Sequence, residues 1–496
     1  MSQTVLVVGA GMAGLFSALS LGKVGYAVTI VERDPPLPEG GLDEAFESWN
    51  RRGVGHLRHS HAFLARLREI LAKEHPELLK ELVEAGVREL TFAEGLPAVS
   101  KYLYRPQPGD ETLTILTSRR TTLELIIRRH VEAMANVTIR SGVNVTGLLG
   151  EKDGEGRFVC SGLKTDQGDL TADLVVDGSG RTTSVFEWLA EMGLVAPEEE
   201  EDAGILYYTR HWRLRPGQVQ PERGKVAGAG DLGFLKFGVF PADNGCFSVT
   251  LAAPEIEQTL RQAILKPEVF DRICALLPGV APWTDPERSE PISKVFGMGD
   301  LKSRWRDTAP AGKPLALNLF VAGDGLVRTN PLYGRGCSFA AVEGQLLAQA
   351  LKSSTDPAER AVAYQRAVDA QLRPFYNQMR DQDRAAIRRA RNGLDPSYKP
   401  GVKAKLMKSF AEDGVTIALR SDPDLMRQFM RGFHMLEASD AWIKRPSSMA
   451  KIMRTWSRGK AKNAAFYPER LGPDRSAMFA DLQLPERADA ERLGLA

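Results

Sequence analysis

The densest group of side chains that could transfer protons is a run of three histidines, His56, His59 and His61. Imidazole titrates near neutral pH and therefore suits acid–base chemistry. Neither the spacing of the three nor nearby carboxylates complete a metal site, so no metal is expected. Two interpretations remain open: contacts or proton transfer at an active site, and the polar first turn of a surface helix.

A second group of residues suits the binding of a pyrophosphate. Gly9, Gly11 and Gly14 form a G-x-G-x-x-G sequence between an apolar, β-branched run at residues 4–8 and a helical stretch. Such glycines permit a tight turn, close approach of a ligand and close packing of helix on strand. The helix N-terminus adds unpaired N–H groups and a favourable dipole. Glu32, at the end of the next strand, is placed to accept hydrogen bonds from ribose hydroxyls. A glycine-rich turn without a ligand is the less favoured alternative.

The same hexapeptide pattern recurs at residues 228–233, but without its context. An alternating, strand-like run follows it instead of a helix, and no acidic residue is placed to bind a ribose. We interpret this second match as a coincidence, so only one nucleotide-binding fold is predicted.

A third group of residues distinguishes between cofactors, because NAD and FAD share the first motif. A strand ends at Gly323 and Asp324, a loop runs through Pro331 and Gly334, and a helix begins near Gly336. Asp324 can bond the hydroxyls of a ribityl chain. A helix N-terminus beside a flavin ring would stabilise the anionic reduced form. This region therefore indicates FAD.

The elements around these residues predict an α/β protein with a Rossmann-like FAD-binding domain, an interleaved and mostly antiparallel β-sheet substrate domain, and a helical C-terminal region. Strands are expected at residues 4–8, 27–31, 137–140 and 170–176, helices at residues 62–73, 118–134 and 338–351, and a hairpin at residues 240–251. The predicted domains are residues 1–80, 113–185 and 290–370 for FAD, residues 81–112 and 186–289 for the substrate, and residues 371–496 for the tail.

Composition narrows the function classes. The chain has 496 residues with 65 basic and 63 acidic side chains, and this balance argues against a nucleic-acid partner. Four scattered cysteines favour a reducing compartment. Residues 5–22 carry no charge, but their glycines and the missing basic flank argue against a membrane span, so a cytoplasmic protein is expected. The acidic run at residues 198–202 is interpreted as a solvated surface loop.

The C-terminal region carries apolar side chains at helical spacing with basic residues between them. Packing of the tail onto the body is the favoured interpretation. A lid over an apolar substrate comes second, and contact with a membrane surface comes third. The apolar residues are Met426, Phe429, Met430, Phe433, Met435, Trp442, Met449, Met453 and Trp456.

Together these motifs resemble the p-hydroxybenzoate hydroxylase-like FAD-dependent monooxygenases, and within them the polyprenyl-methoxyphenol hydroxylase-like group. The resemblance rests on the N-terminal glycine motif with Glu32 and Arg33, on Asp177-Gly178, and on Gly323-Asp324. The segments 53–64, 120–123 and 173–180 add to it. It covers residues 1 to about 352.

The resemblance implies the following FAD-binding residues: Gly9, Gly11, Gly14, Glu32, Arg33, Arg120, Asp177, Gly323, Asp324, Pro331, Gly334 and Gly336. His59, His61 and Arg335 are the predicted catalytic residues, since the matching segments pass near the flavin ring in that family. Arg335 stands where relatives more often carry glutamine, and a solvent-facing arginine is an equal alternative. Arg51, Arg52 and Arg58 are either ligands for the phosphates of a nicotinamide donor or a solvated basic loop.

The activity implied by the resemblance is oxygen insertion, by hydroxylation or epoxidation, into an apolar aromatic or prenyl-like small molecule through a flavin C4a-hydroperoxide. NADPH or NADH is the expected electron donor, either directly or through a separate flavin reductase. A halogenase is an alternative, although the W-x-W-x-I-P element of many halogenases is absent from the sequence. A prenyl-chain reductase, a redox-neutral flavin isomerase and a flavin-binding redox-sensing or interaction protein also remain open.

Overall fold

The structure is a computed structural model that describes residues 3–222 and 224–495. The strands in chain order are β1 (Thr4–Val8), β2 (Ala27–Glu32), β3 (Ala62–Phe63), β4 (Arg88–Leu90), β5 (Ile115–Thr117), β6 (Val137–Ser141), β7 (Val145–Lys152), β8 (Phe158–Thr165), β9 (Leu170–Thr171), β10 (Leu174–Asp177), β11 (Glu198–Asp202), β12 (Ile205–Leu214), β13 (Ala229–Asp231), β14 (Lys236–Pro241), β15 (Cys246–Pro254), β16 (Ser289–Pro291), β17 (Phe296–Met298), β18 (Lys302–Arg306), β19 (Ala316–Leu317), β20 (Leu319–Val321) and β21 (Val327–Arg328).

The α-helices in chain order are α1 (Met12–Lys23), α2 (Leu42–Ser48), α3 (Ala65–Glu74), α4 (Pro76–Glu84), α5 (Phe92–Gly95), α6 (Ala98–Lys101), α7 (Arg120–Glu132), α8 (Val185–Glu191), α9 (Gln258–Ile264), α10 (Pro267–Leu276), α11 (Ala281–Thr284), α12 (Gly336–Ser353), α13 (Pro357–Leu394), α14 (Val402–Ser409), α15 (Ile417–Ser421), α16 (Pro423–Phe433), α17 (Ala441–Lys444), α18 (Pro446–Lys462), α19 (Arg475–Asp481) and α20 (Ala488–Arg492). A π-helical segment, Phe410–Thr416, joins α14 to α15.

The centre of the molecule is a five-stranded parallel sheet in the order β20-β10-β1-β2-β6. Its strands are short runs of Val, Ile and Leu because helices cover both faces, with α1 and α12 packed against each other. All five strands run the same way, so Val8, Glu32, Asp177 and Val321 end at one edge of the sheet. The strands predicted at residues 4–8, 27–31 and 137–140 are confirmed. The strand predicted at residues 170–176 is instead two strands, because β9 pairs with β8 in another sheet and β10 joins this one.

The second sheet is antiparallel, in the order β13-β14-β15-β12-β16, and β17 also pairs with β12. The predicted hairpin is β14 and β15. Residues 228–233 contain β13, an edge strand that pairs only with β14 and is followed by another strand, so the interpretation of this glycine pattern as a coincidence is confirmed. β16 spans the predicted domain boundary at residue 290, and β17 lies beyond it. Both strands nevertheless belong to this sheet.

The division into domains stays a prediction, and several elements cross its boundaries. β4 pairs with β5 rather than with the antiparallel sheet. α13 continues without a break through Pro374, so the boundary at residue 371 falls inside a helix. The helix predicted from residue 62 begins at Ala65, because Ala62 and Phe63 pair with β5 instead.

Residues 198–202 lie at the surface as predicted, but the interpretation of this run as a loop is wrong. They form β11, which pairs antiparallel with β18. The acidic side chains are held by arginines: Arg306 bonds Glu198 at 2.6 Å, and Arg380 of α13 bonds Glu199 at 2.6 Å. Five like charges form a strand here because the neighbouring strand and helix supply the opposite charge.

The C-terminal region packs onto the body, as the favoured interpretation predicted. Buried Met426 and Trp442 form an apolar cluster with Phe92 and Leu96, and Met478 joins the core of the antiparallel sheet. Within the described part of the chain, no helix combines the length and the apolar character that crossing a bilayer requires.

Candidate functional site

A cavity of 540 Å³ lies where the carboxyl edge of the parallel sheet faces the antiparallel sheet. Both glycine-rich segments contribute to its wall, although they are separated by about three hundred residues in the sequence. Every predicted site residue except Gly14 lies in that wall. The structure therefore brings the predicted residues together, while their individual roles stay predictions.

The N-terminus of α1 is open toward the cavity. A Cβ on Gly14 would lie 1.8 Å from the carbonyl oxygen of Gly9, so only glycine allows the helix to approach the turn this closely. A Cβ on Gly11, in contrast, would meet no atom within 4 Å. No side chain caps α1, and its first turn contains no acidic residue. The free N–H groups and the adjacent open space suit a phosphate group.

Glu32 lies at the centre of a buried network of charged side chains. One of its carboxylate oxygens accepts hydrogen bonds from the backbone N–H of Ala10 at 2.7 Å and from Arg51 at 3.0 Å. The other accepts the N–H of Asp34 at 2.9 Å, which leaves a lone pair for a ligand hydroxyl. Arg51 is buried and also bonds Asp34 and Glu124, so the interpretation of this residue as part of a solvated loop is wrong. Its role toward the phosphates of a nicotinamide donor stays a prediction.

Asp324 and the N-terminus of α12 form the opposite end of the cavity. No side chain or backbone N–H in the described part of the chain donates a hydrogen bond to Asp324. Burial raises the pKa of its carboxyl group, and the charges of Arg328, Arg120 and Arg181 oppose this effect. The first turn of α12 has neither a side-chain cap nor an acidic residue. This end of the cavity thus offers a free carboxylate and a second open helix N-terminus.

Arg120 and Asp177 are more constrained than the sequence implies. Arg120 is buried and donates to Glu124 and to the sulfur of Cys337, each at 2.9 Å. Asp177 accepts hydrogen bonds from Ser179 and from the hydroxyl of Thr183. Asp177 therefore shapes the loop that follows β10, and any contact it makes with a ligand is additional to that task.

The histidine run lies in the cavity wall, so its interpretation as the first turn of a surface helix is wrong. Burial lowers the pKa of His59 to about 4, and burial together with the charge of Arg120 lowers the pKa of His56 to about 3. The pKa of His61 is also lowered, mainly by burial. His61 Nδ1 donates to the carbonyl oxygen of His59 at 2.8 Å. These neutral imidazoles are weak bases at pH 7, which favours ligand contacts over proton transfer.

A row of hydroxyl groups continues from the histidines along the antiparallel sheet. His59 Nδ1 lies 2.9 Å from the hydroxyl of Thr209, which lies 2.7 Å from that of Thr250. Thr250 in turn donates to Ser60 at 2.7 Å. No sequence pattern predicts this row of hydroxyl groups, because it joins side chains of two strands and a distant loop.

Arg335 is only 2% exposed, so the alternative of a solvent-facing arginine is wrong. Its guanidinium group donates to the carbonyl oxygen of Phe375 and, at 2.8 Å, to Gln378 of α13. Nearby, Asn330 and Tyr333 both donate to one oxygen of Asp383, each at 2.9 Å. Helix α13 thereby fixes the loop that precedes α12.

The C-terminal region also reaches the cavity, through Phe433 and His434. His434 is 7% exposed, and no group in the described part of the chain hydrogen-bonds to its ring. Burial lowers its pKa to about 4, so the imidazole is neutral at pH 7. Phe433 belongs to the apolar set that was interpreted first as packing and second as a lid over the substrate. No motif predicted that His434 reaches the cavity.

Taken together, the residues present fit FAD. Two uncapped helix N-termini, a partly free carboxylate in Glu32 and an unpartnered carboxylate in Asp324 lie along one continuous cavity. This arrangement matches a long ligand with a pyrophosphate, a ribose and a ribityl chain.

Comparisons with known proteins support this assignment of the fold. No protein-family model matches the chain. Protein Rv3254 of Mycobacterium tuberculosis is 27% identical over 459 residues, which cover 87% of this chain and 90% of that protein. Its name states no activity.

Three solved structures share the fold. The p-nitrophenol 4-monooxygenase PnpA of Pseudomonas putida superposes with a TM-score of 0.54 at 16% identity, covering 88% of this chain and 98% of PnpA. The Diels-Alderase PyrE3 gives 0.57 at 16% identity, covering 88% and 81%. A triple mutant of the flavin-dependent brominase Bmp2 gives 0.55 at 15% identity, covering 92% and 99%.

The chain therefore has the fold of the FAD-dependent monooxygenases, as the resemblance predicted. That fold also carries other chemistry, as the brominase and the Diels-Alderase show. The reaction must accordingly be argued from the site.

Proposed function

We propose that the chain is an FAD-dependent monooxygenase that inserts one atom of O2 into an apolar aromatic or prenyl-like small molecule, by hydroxylation or epoxidation. The observation that carries the proposal is the convergence of two uncapped helix N-termini and Asp324 on one cavity. The fold shared with PnpA supports it.

In this proposal the protein binds and orients the cofactor from both ends. The N-terminus of α1 binds the pyrophosphate beside Gly11, and the free lone pair of Glu32 accepts a ribose hydroxyl. Asp324 would accept hydrogen bonds from hydroxyls of the ribityl chain, and the N-terminus of α12 would hold the pyrimidine end of the ring. When bound, FAD supplies the reduction of O2 that delivers one oxygen atom to the substrate.

The remaining wall of the cavity suits an apolar substrate. Phe237 and Phe240 of β14, Met298 and Leu301 lie on the side of the antiparallel sheet, and Phe433 comes from the C-terminal region. Such side chains exclude water from the reacting atoms. Polar recognition would come from the hydroxyl row described above. The electron donor is NADPH or NADH, used directly or through a separate flavin reductase.

Substrate-stimulated oxidation of NADPH or NADH tests the proposal. Purified protein loaded with FAD is screened with phenols and prenylated phenols, and the products are analysed after reaction in isotopically labelled O2. Labelled oxygen in the product supports oxygen insertion. Products that require halide indicate a halogenase, turnover without O2 indicates a reductase or isomerase, and binding of FAD without turnover of any compound favours a sensing or interaction protein.

A further inference from the structure

Helix α14 projects from the molecule, and its one hydrogen bond to another α-helix in the described part of the chain is at its last residue, where Trp456 of α18 donates to Ser409 at 3.1 Å. None of its residues is buried, and Val402, Leu406 and Met407 are 85%, 54% and 55% exposed. An isolated helix of this length is unstable in water. At its C-terminal end it continues into the π-helical segment 410–416, which packs against α18. Three large apolar side chains therefore face solvent on a helix that contributes nothing to the core.

The same segment is strongly basic. Lys403, Lys405 and Lys408 lie within α14 and Lys399 lies three residues before it, and no acidic residue occurs between Asp395 and Glu412. Lys408 lies 3.9 Å from Glu412, whereas the other three lysines form no ion pair within the described part of the chain. The charges of Lys403 and Lys405 in α14 are thus not neutralised by an ion pair within the described part of the chain.

The helical spacing gives the segment a defined face. Val402 and Leu406 are one turn apart and share a side of the helix. At about 100° per residue, Lys403 and Lys405 flank that side at roughly 80° to its left and right. Lysines in such positions extend their charged ends past an apolar surface. Tyr398, 41% exposed just before the helix, adds a side chain that is apolar along its body and polar at its tip.

We propose that α14 docks the protein on an anionic phospholipid surface. Val402 and Leu406 enter the boundary between headgroups and acyl chains, and the flanking lysines contact lipid phosphates. An anionic membrane fits because the exposed face of α14 is both apolar and cationic. A symmetric contact between two copies of α14 would instead bring like charges together. The inference does not depend on the bound cofactor or on the proposed reaction.

Flotation of the full-length protein with vesicles tests the proposal. Vesicles of phosphatidylcholine alone are compared with vesicles that also contain phosphatidylglycerol. We expect binding to the anionic vesicles only, weakened by salt because the contact is electrostatic. Lys403→Glu with Lys405→Glu should lower the partition coefficient at least about tenfold. Leu406→Ser should lower it without changing the charge.

The matched control carries Lys164→Glu and Lys313→Glu, which are exposed lysines outside this segment, and it should bind as the wild type does. Thermal unfolding should be unchanged in every variant, because the substituted residues are exposed. Equal binding of the wild type and the Lys403→Glu/Lys405→Glu variant, or no binding to anionic vesicles, would overturn the proposal. If the wild type does not bind vesicles and Leu406→Ser changes the oligomeric state, the proposal is also overturned. That result would identify the face as a contact between copies of the protein.

Discussion

Gly11→Asp separates cofactor binding from folding more sharply than any other substitution in the cavity. Gly11 precedes α1 with φ −81° and ψ −177°, a conformation open to every residue, and a Cβ there meets no protein atom within 4 Å. Aspartate is also a good N-cap and complements the helix dipole. The protein without FAD should therefore be as stable as the wild type, or more stable by about 0.5 kcal/mol.

The effect on FAD should be large and opposite. The new carboxylate would lie about 5 Å from a phosphate bound at the helix N-terminus. At an effective dielectric constant of about 20, two such charges repel by about 3 kcal/mol. This energy corresponds to a dissociation constant for FAD that is raised roughly two-hundredfold.

The dissociation constant is measured by titrating the FAD-free protein with FAD and monitoring the quenching of flavin fluorescence. Thermal unfolding measures stability. Gly41→Asp is the matched control, because Gly41 precedes α2 with φ −81° and ψ −170°, has no atom near its Cβ position and lies outside the cavity wall. It should leave FAD binding unchanged. Wild-type affinity in Gly11→Asp would refute the placement of the pyrophosphate at α1.

Three further predictions concern charge and the cavity wall. Burial raises the pKa of Asp383 from 3.8 to about 6, so its ionisation costs stability that builds up between these two pH values and is complete above pH 6. Asp383→Asn should raise the free energy of unfolding at pH 8 by about 2 kcal/mol and give no gain at pH 4, measured by denaturant titration at both values. Arginines lower the pKa of Glu199, so its ion pairs stabilise the protein above the usual pKa of 4.5. Glu199→Gln should cost about 1 kcal/mol at pH 7, and the difference from the wild type should fade as the pH drops below 4.5. His434→Ala should raise KM for the substrate, because the residue lies in the cavity wall. It should leave the affinity for FAD unchanged, because the residue belongs to the C-terminal region and not to the glycine-rich segments. An unchanged KM would show that His434 is not part of the substrate site.

The parallel sheet and both glycine segments could be predicted because each depends on local sequence. Runs of β-branched residues determine β1 and β2, and the glycine spacing requires its turn wherever it follows such a strand. The cavity follows from these elements once they are placed in one sheet. For that reason the predicted site residues meet, although the two segments are far apart in the chain.

The parts that could not be predicted depend on distant partners. A run of acidic residues resembles a solvated loop until the arginines of β18 and α13 are known to face it. Arg51 resembles part of a solvated basic loop until Glu32 and Glu124 are found around it. His434 reaches the cavity only through the packing of the C-terminal region. In each case the deciding contact joins residues with no fixed spacing in the sequence.

The central claim is that one cavity binds one FAD at both ends. The most direct measurement is the flavin content of the purified wild-type protein after incubation with excess FAD and removal of the unbound cofactor. We predict one FAD per chain, with the absorption spectrum of a protein-bound flavin. A colourless protein, correctly folded by circular dichroism yet free of flavin, would contradict the claim.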